Sequence, residues 1–194
     1  PQGGPTPTPA IRRMIAVASG KGGVGKSTVA VNLAATLARS GLSVGLLDAD
    51  IYGPSIPTMM GIAGTRPPRN DQNKIVPVTA HGIKCLSMGL FTDPNAGAVI
   101  WRGPMVQSAI LQMVRDADWA DATGTPLDIL VIDMPPGTGD AQMAVAQKLP
   151  LTGAIIVSTP QDVALIDAEK AVRAFQKMNV PLLGLIENMS IFCC

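Results

Sequence analysis

Short unbroken apolar runs alternate along this chain with stretches of helical periodicity. Residues 14–19, Met-Ile-Ala-Val-Ala-Ser, form the first such run, and a continuous apolar stretch marks a strand buried on both faces, as in a parallel sheet. Residues 26–39 place Val29, Leu33 and Leu37 at helical spacing with the small Ala30 and Ala34 beside them. Gly41 follows as the expected C-cap. Residues 43–48, 127–132 and 153–158 predict further buried strands, and residues 181–186 another strand. Between 162 and 178 the periodicity predicts an amphipathic helix with Val163, Ile166, Val172 and Phe175 near one face. Residues 75–78 and 83–88 suggest an additional strand pair, and residues 65–73 a mobile surface loop. The alternation predicts an α/β fold with a mostly parallel central sheet flanked by helices. In such sheets ligands sit beyond the carboxyl ends of the strands.

The segment after the first strand, Gly20-Lys-Gly-Gly-Val-Gly-Lys-Ser-Thr28, fits the phosphate-binding loop G-x-x-x-x-G-K-[ST] in its required strand-to-helix setting. Gly20, Gly22, Gly23 and Gly25 lack a Cβ, so the backbone can curl around phosphates and turn its N–H groups inward. The helix beginning near Lys26 adds its positive end. Lys26 is expected to reach the β- and γ-phosphates, and the Ser27 hydroxyl to hold Mg²⁺. The whole loop, with Val24 and Thr28, is the candidate nucleotide-binding set. Two acidic strand ends join it. Asp48-Ala49-Asp50 brings a carboxylate to the γ-phosphate, orienting water or the Mg²⁺ shell. Ile129-Leu-Val-Ile-Asp133 has the form of a Walker B strand, with Asp133 toward the metal. Prolines and glycines at 135–140 suit a segment that moves with the γ-phosphate. Lys21 reads either as an exposed charge on a loop tip or as a charge sent across a dimer interface.

Composition narrows the class. Apolar residues make up 47% and charged residues 15%, which excludes an intrinsically disordered chain. The net charge of +1 asks for neither nucleic acid nor an anionic membrane as partner. No apolar run approaches a membrane span. Cys85, Cys193 and Cys194 make no disulfide framework, which favours a reducing compartment. Cys85 reads as a core thiol and His81 as a turn residue. Residues 1–12 read as a Pro/Gly-rich linker ahead of one domain, 13–194. Without an initiator Met, and stopping at Phe192-Cys193-Cys194, the domain is expected to be truncated at its C-terminus.

The stretch Lys21-Gly-Gly-Val-Gly-Lys-Ser-Thr28 resembles the deviant Walker A motif of the family that includes MinD, ParA and the nitrogenase iron protein. Asp48-Ala-Asp-Ile-Tyr-Gly-Pro-Ser-Ile-Pro57, Ile100-Trp-Arg-Gly-Pro-Met105, Asp133-Met-Pro-Pro-Gly-Thr-Gly-Asp140 and Glu187-Asn-Met-Ser190 narrow the resemblance to the Mrp/ApbC branch of iron–sulfur cluster carrier ATPases. It covers about residues 13–194. The resemblance implies a cytoplasmic ATP-hydrolysing homodimer that carries a 4Fe–4S cluster to apo-proteins. An organellar address is compatible with it. Lys21 would be the lysine acting in trans, Asp50 the switch I aspartate, Asp133 the Walker B acid, and Asn188 the reader of adenine. Cys194 would be the first cysteine of the family's C-x-x-C pair, with its mate past the chain end. Two such pairs supply the four thiolates of a 4Fe–4S cluster. Adjacent Cys193 and Cys194 do not replace that spacing, so the chain as it stands is expected to hold a cluster poorly. Positioning ATPases of the MinD or ParA kind, and ATP-driven electron donors like the nitrogenase iron protein, are the alternative readings.

Overall fold

The computed structural model describes residues 8–91, 103–137 and 139–191. A seven-stranded sheet runs in the order β3-β4-β2-β5-β1-β6-β7. Its strands are β1 (Met14–Ser19), β2 (Val44–Asp48), β3 (Val78–Ala80), β4 (Ile83–Ser87), β5 (Ile129–Asp133), β6 (Gly153–Ser158) and β7 (Leu182–Glu187). Every pairing is parallel except β3 with β4. The helices are α1 (Lys26–Arg39), α2 (Ile56–Met59), α3 (Gly103–Arg115), α4 (Asp140–Lys148) and α5 (Asp162–Lys177).

Side-chain alternation divides the core in two. Met14, Ala16 and Ala18 of β1, with Leu130 and Ile132 of β5, pack on one face against Ile110 of α3, Val145 of α4 and Phe175 of α5. Val17, Leu46, Val131 and Val157 face the other way, toward Ala30 and Ala34 of α1 and Ile56 of α2. The alanines, rather than Val29, Leu33 and Leu37, are the fully buried residues of α1. Their small side chains let the helix settle close to the sheet.

The same rule corrects the expected face of α5. Val163 and Ile166 are exposed, while Ala164, Ala168, Ala171 and Phe175 are buried. An alanine stripe docks this helix, and the larger residues near its start face outward. The predicted strand pair is displaced too. The hairpin joins β3 to β4 through His81 (φ 51°) and Gly82 (φ 75°), two left-handed residues as a tight hairpin turn requires. Ile75 instead bridges Arg69 and Ala117. Cys85 is buried, and burial pushes its thiol up to about 12, as suits a core residue. Packing begins ahead of β1. Ile11 is buried and bridges Leu127, and Arg12 pairs with Asp128, so the end of the compositional linker is held against β5. Helices α3 and α4 have no counterpart in the expectations from sequence.

β7 is the outer strand on its side. It pairs only with β6 among the described residues, and Leu183, Leu185 and Ile186 are exposed on it.

Candidate functional site

β1, β2 and β5 end side by side, and their register sets Asp48 directly beside Asp133. The loop between β1 and α1 curls over these ends. Gly23 (φ 80°) and Gly25 (φ 83°) adopt left-handed conformations there, which residues with a Cβ avoid. The Ser19 hydroxyl donates to the Lys21 carbonyl at 2.8 Å, and Gly137 N–H donates to the Ser19 carbonyl at 3.1 Å. The loop after β5 is thereby tied to the loop after β1. Between them lies a cavity of about 280 Å³, lined by Lys21, Gly22, Gly23, Gly25, Lys26, Ser27, Thr28 and Asp50. Ser19, Ser55, Met59 and Pro136 complete the wall; of these, Ser55 and Pro136 belong to the 48–57 and 135–140 stretches that the sequence points to, whereas no sequence signal marks Ser19 or Met59 as wall residues. A Cβ on Gly22 or Gly23 would meet no atom of the described residues within 4 Å.

Lys26 reaches inward and ion-pairs with Asp133, both side chains being buried. The other oxygen of that carboxylate, Oδ2, is buried with no hydrogen-bond partner among the described residues. Burial is the largest influence on Asp133 and raises its pKa; the Lys26 charge pulls the other way, and Asp50 adds a like charge. A buried acceptor oxygen beside the Ser27 hydroxyl, with a second carboxylate near, fits a hydrated Mg²⁺ ion. The donor set is all oxygen, two carboxylates and a hydroxyl, as suits a hard cation.

Asp48 was not expected to matter beyond its neighbour. It lies 1% exposed and accepts from Asp50 N–H at 3.1 Å, Ile56 N–H at 3.3 Å and the Ser87 hydroxyl at 3.0 Å. It therefore ties both ends of the Asp50–Ser55 loop to β4. Burial, and then the charge of Asp133, push its pKa up to about 7. The sign follows from linkage. A carboxyl raised in the folded state stabilises the fold in acid, and that contribution is lost as pH rises through about 7. Between pH 6 and 8 the loss amounts to roughly 1.5 kcal/mol. Without metal or nucleotide, thermal melts should fall by a few degrees over this interval. Asp48→Asn should flatten that decline, and an unchanged slope would exclude Asp48 as its source.

Asn188 arrives from the end of β7. Its backbone N–H donates to the Ser158 carbonyl at 2.8 Å, and its side-chain amide donates to the Val24 carbonyl at 3.0 Å. Trp101, Arg102, Thr138, Cys193 and Cys194 lie outside the described residues. No helix among the described residues is long and apolar enough to cross a membrane.

A glycine-rich loop capping a helix, a buried lysine and acidic ends of adjacent parallel strands together define a P-loop NTPase, a nucleotide-binding and nucleotide-hydrolysing class. Within that class, the sequence model of the NUBPL iron-transfer P-loop NTPases matches residues 10–194. The chain belongs to this family. It is 57% identical over 185 residues to the iron-sulfur cluster carrier protein of Pseudomonas fragi, covering 95% of this chain and 62% of the relative. It is 54% identical over 190 residues to the mouse iron-sulfur cluster transfer protein NUBPL, covering 97% and 57%. A solved nucleotide-binding protein from Archaeoglobus fulgidus, in complex with ADP, superimposes with a TM-score of 0.80 at 38% identity, covering 95% of this chain and 70% of that one. The chain thus spans some six-tenths of the length of these two curated relatives.

Proposed function

We propose that this domain is the ATPase engine of a homodimeric iron–sulfur cluster carrier, delivering a 4Fe–4S cluster as cargo to apo-proteins. The observation that carries the reading is the placement of Asn188. It joins the phosphate-binding loop to the end of β7, and Cys193-Cys194 follow within six residues. Nucleotide state and a thiolate-bearing segment are therefore neighbours in the chain. The family membership and the two relatives named for cluster carriage and transfer support the same reading.

ATP takes the cavity with its phosphates against the N–H groups of residues 22–27, and Lys26 turns from Asp133 to the β- and γ-phosphates. Ser27, Asp133 and Asp50 would hold Mg²⁺, which when bound neutralises charge on the β- and γ-oxygens. Asp50 orients a water that attacks the γ-phosphorus; the bond to the bridging oxygen breaks, giving ADP and phosphate. Lys21 lines the same cavity and serves the nucleotide of the partner subunit. Hydrolysis is slow and biases the dimer between two arrangements, which sets when the cluster is held or released. The setting is a reducing one, cytoplasmic or organellar.

Anaerobic iron–sulfide reconstitution tests this on a protein extended past Cys194, beside the present chain and the extended Cys194→Ser variant. About four irons per dimer in the extended protein, lost in both controls, is the expected result. Bound ATP with no iron in the extended protein would move the domain to the positioning ATPases. Equal iron in all three would overturn Cys194 as a ligand.

A further inference from the structure

The side chain of Asn188 is committed to the protein itself. Its Nδ2 donates to the Val24 carbonyl, and its backbone is pinned to Ser158 at the end of β6. The space it fills is the space a side chain at position 25 would need. A Cβ on Gly25 would stand 2.3 Å from Asn188 Nδ2 and 3.6 Å from the Met189 Cε. Met189 itself is left-handed, at φ 55°, a conformation that disfavours a large side chain and persists only where surroundings impose it. The turn at 188–189 is thus built around the loop.

In a trans peptide the C=O and the following N–H point in opposite directions. Drawing the Val24 carbonyl toward Asn188 therefore turns the Gly25 N–H away from Asn188, and Gly25 is one of the residues that line the phosphate cavity. We propose that Asn188 is a positioning residue of the phosphate-binding loop. It acts on the triphosphate through the Val24–Gly25 peptide, and this is distinct from reading the adenine ring. The inference rests on the nucleotide-site reading given above.

Titration calorimetry with MgATP, MgGTP and magnesium tripolyphosphate separates the two roles. Asn188→Ala removes the amide, and Asn188→Leu keeps the approximate shape and the backbone bond to Ser158 while losing the donor without adding charge. Both variants should bind all three ligands about tenfold more weakly, the worth of one hydrogen bond, with an unchanged ATP-to-GTP ratio. Unaltered tripolyphosphate binding beside a collapsed ATP-to-GTP ratio would make Asn188 a base reader and overturn the proposal. Unaltered binding of all three would overturn it as well. If the parent protein binds none of them, the nucleotide site itself is misread and the inference falls with it. Melting curves of both variants identify any loss due to unfolding, and the similarly shaped, uncharged Asn188→Leu carries the decision if Asn188→Ala does not fold.

Discussion

Lys26→Met is expected to lower the stability of the nucleotide-free protein by roughly 3–5 kcal/mol near neutral pH, the cost of leaving one member of a buried ion pair alone. Met keeps the unbranched stem and removes only the charge, so packing is nearly conserved. What remains is the Asp133 carboxylate, buried and already raised in pKa by that burial. Without Lys26 it takes up a proton more readily, so the deficit should shrink as pH falls. Adding Asp133→Asn should restore most of the lost stability, because no charge is then left to bury. A double-mutant cycle by chemical denaturation at pH 6 and pH 8 measures the coupling. Hydrolysis should drop by on the order of 10²–10³ in kcat, the usual cost of one donor that meets developing charge. A single variant as stable as its parent at both pH values would mean that the Lys26–Asp133 pair contributes nothing to the empty site.

The glycines of the loop should divide into two kinds under the same substitution. Gly20→Ala places a Cβ 2.2 Å from the Asp167 carbonyl carbon and oxygen, and 2.7 Å from Ala168 N. These are backbone atoms of α5 and cannot swing aside as a side chain would. The variant should lose about 1–3 kcal/mol or more from overpacking, and nucleotide affinity should fall with it because the loop must shift. Gly22→Ala meets no atom of the described residues within 4 Å. It should melt with the parent and yet bind ADP poorly, since Gly22 lines the cavity that the phosphates use. Denaturant curves and ADP titrations on the two variants decide the matter. Equal stabilities would contradict the contact between Gly20 and α5.

Strand positions and the phosphate loop were legible because their signals are local. An apolar run ending in Asp133 and a glycine loop ahead of Lys26 each state their structure within a few residues. α5 was legible as a helix, but its buried face was not. Pattern reading gives the large Val163 and Ile166 to the core, whereas the sheet accepts the alanines that permit close approach. Asp48 was hidden for a different reason. Its importance comes from Ser87 and Ile56, which tertiary folding brings to it. α3 begins within a Gly-Pro-Met sequence that carries no N-cap signal, and α4 has weak amphipathicity behind its glycine cap. The bond from Asn188 to Val24 spans most of the chain, and no local pattern announces it.

The exposed outer strand bears on how oligomers of this domain should be interpreted. Among the described residues β7 pairs on one side only and leaves Leu183, Leu185 and Ile186 exposed, the combination by which sheet edges recruit further strands. Association through that edge would depend on protein concentration and ignore nucleotide, whereas a dimer closed across the phosphate cavity would answer to ATP. Two copies found together are thus not yet the functional pair. Nucleotide dependence, rather than stoichiometry, is the signature that separates an assembled machine from a sticky margin.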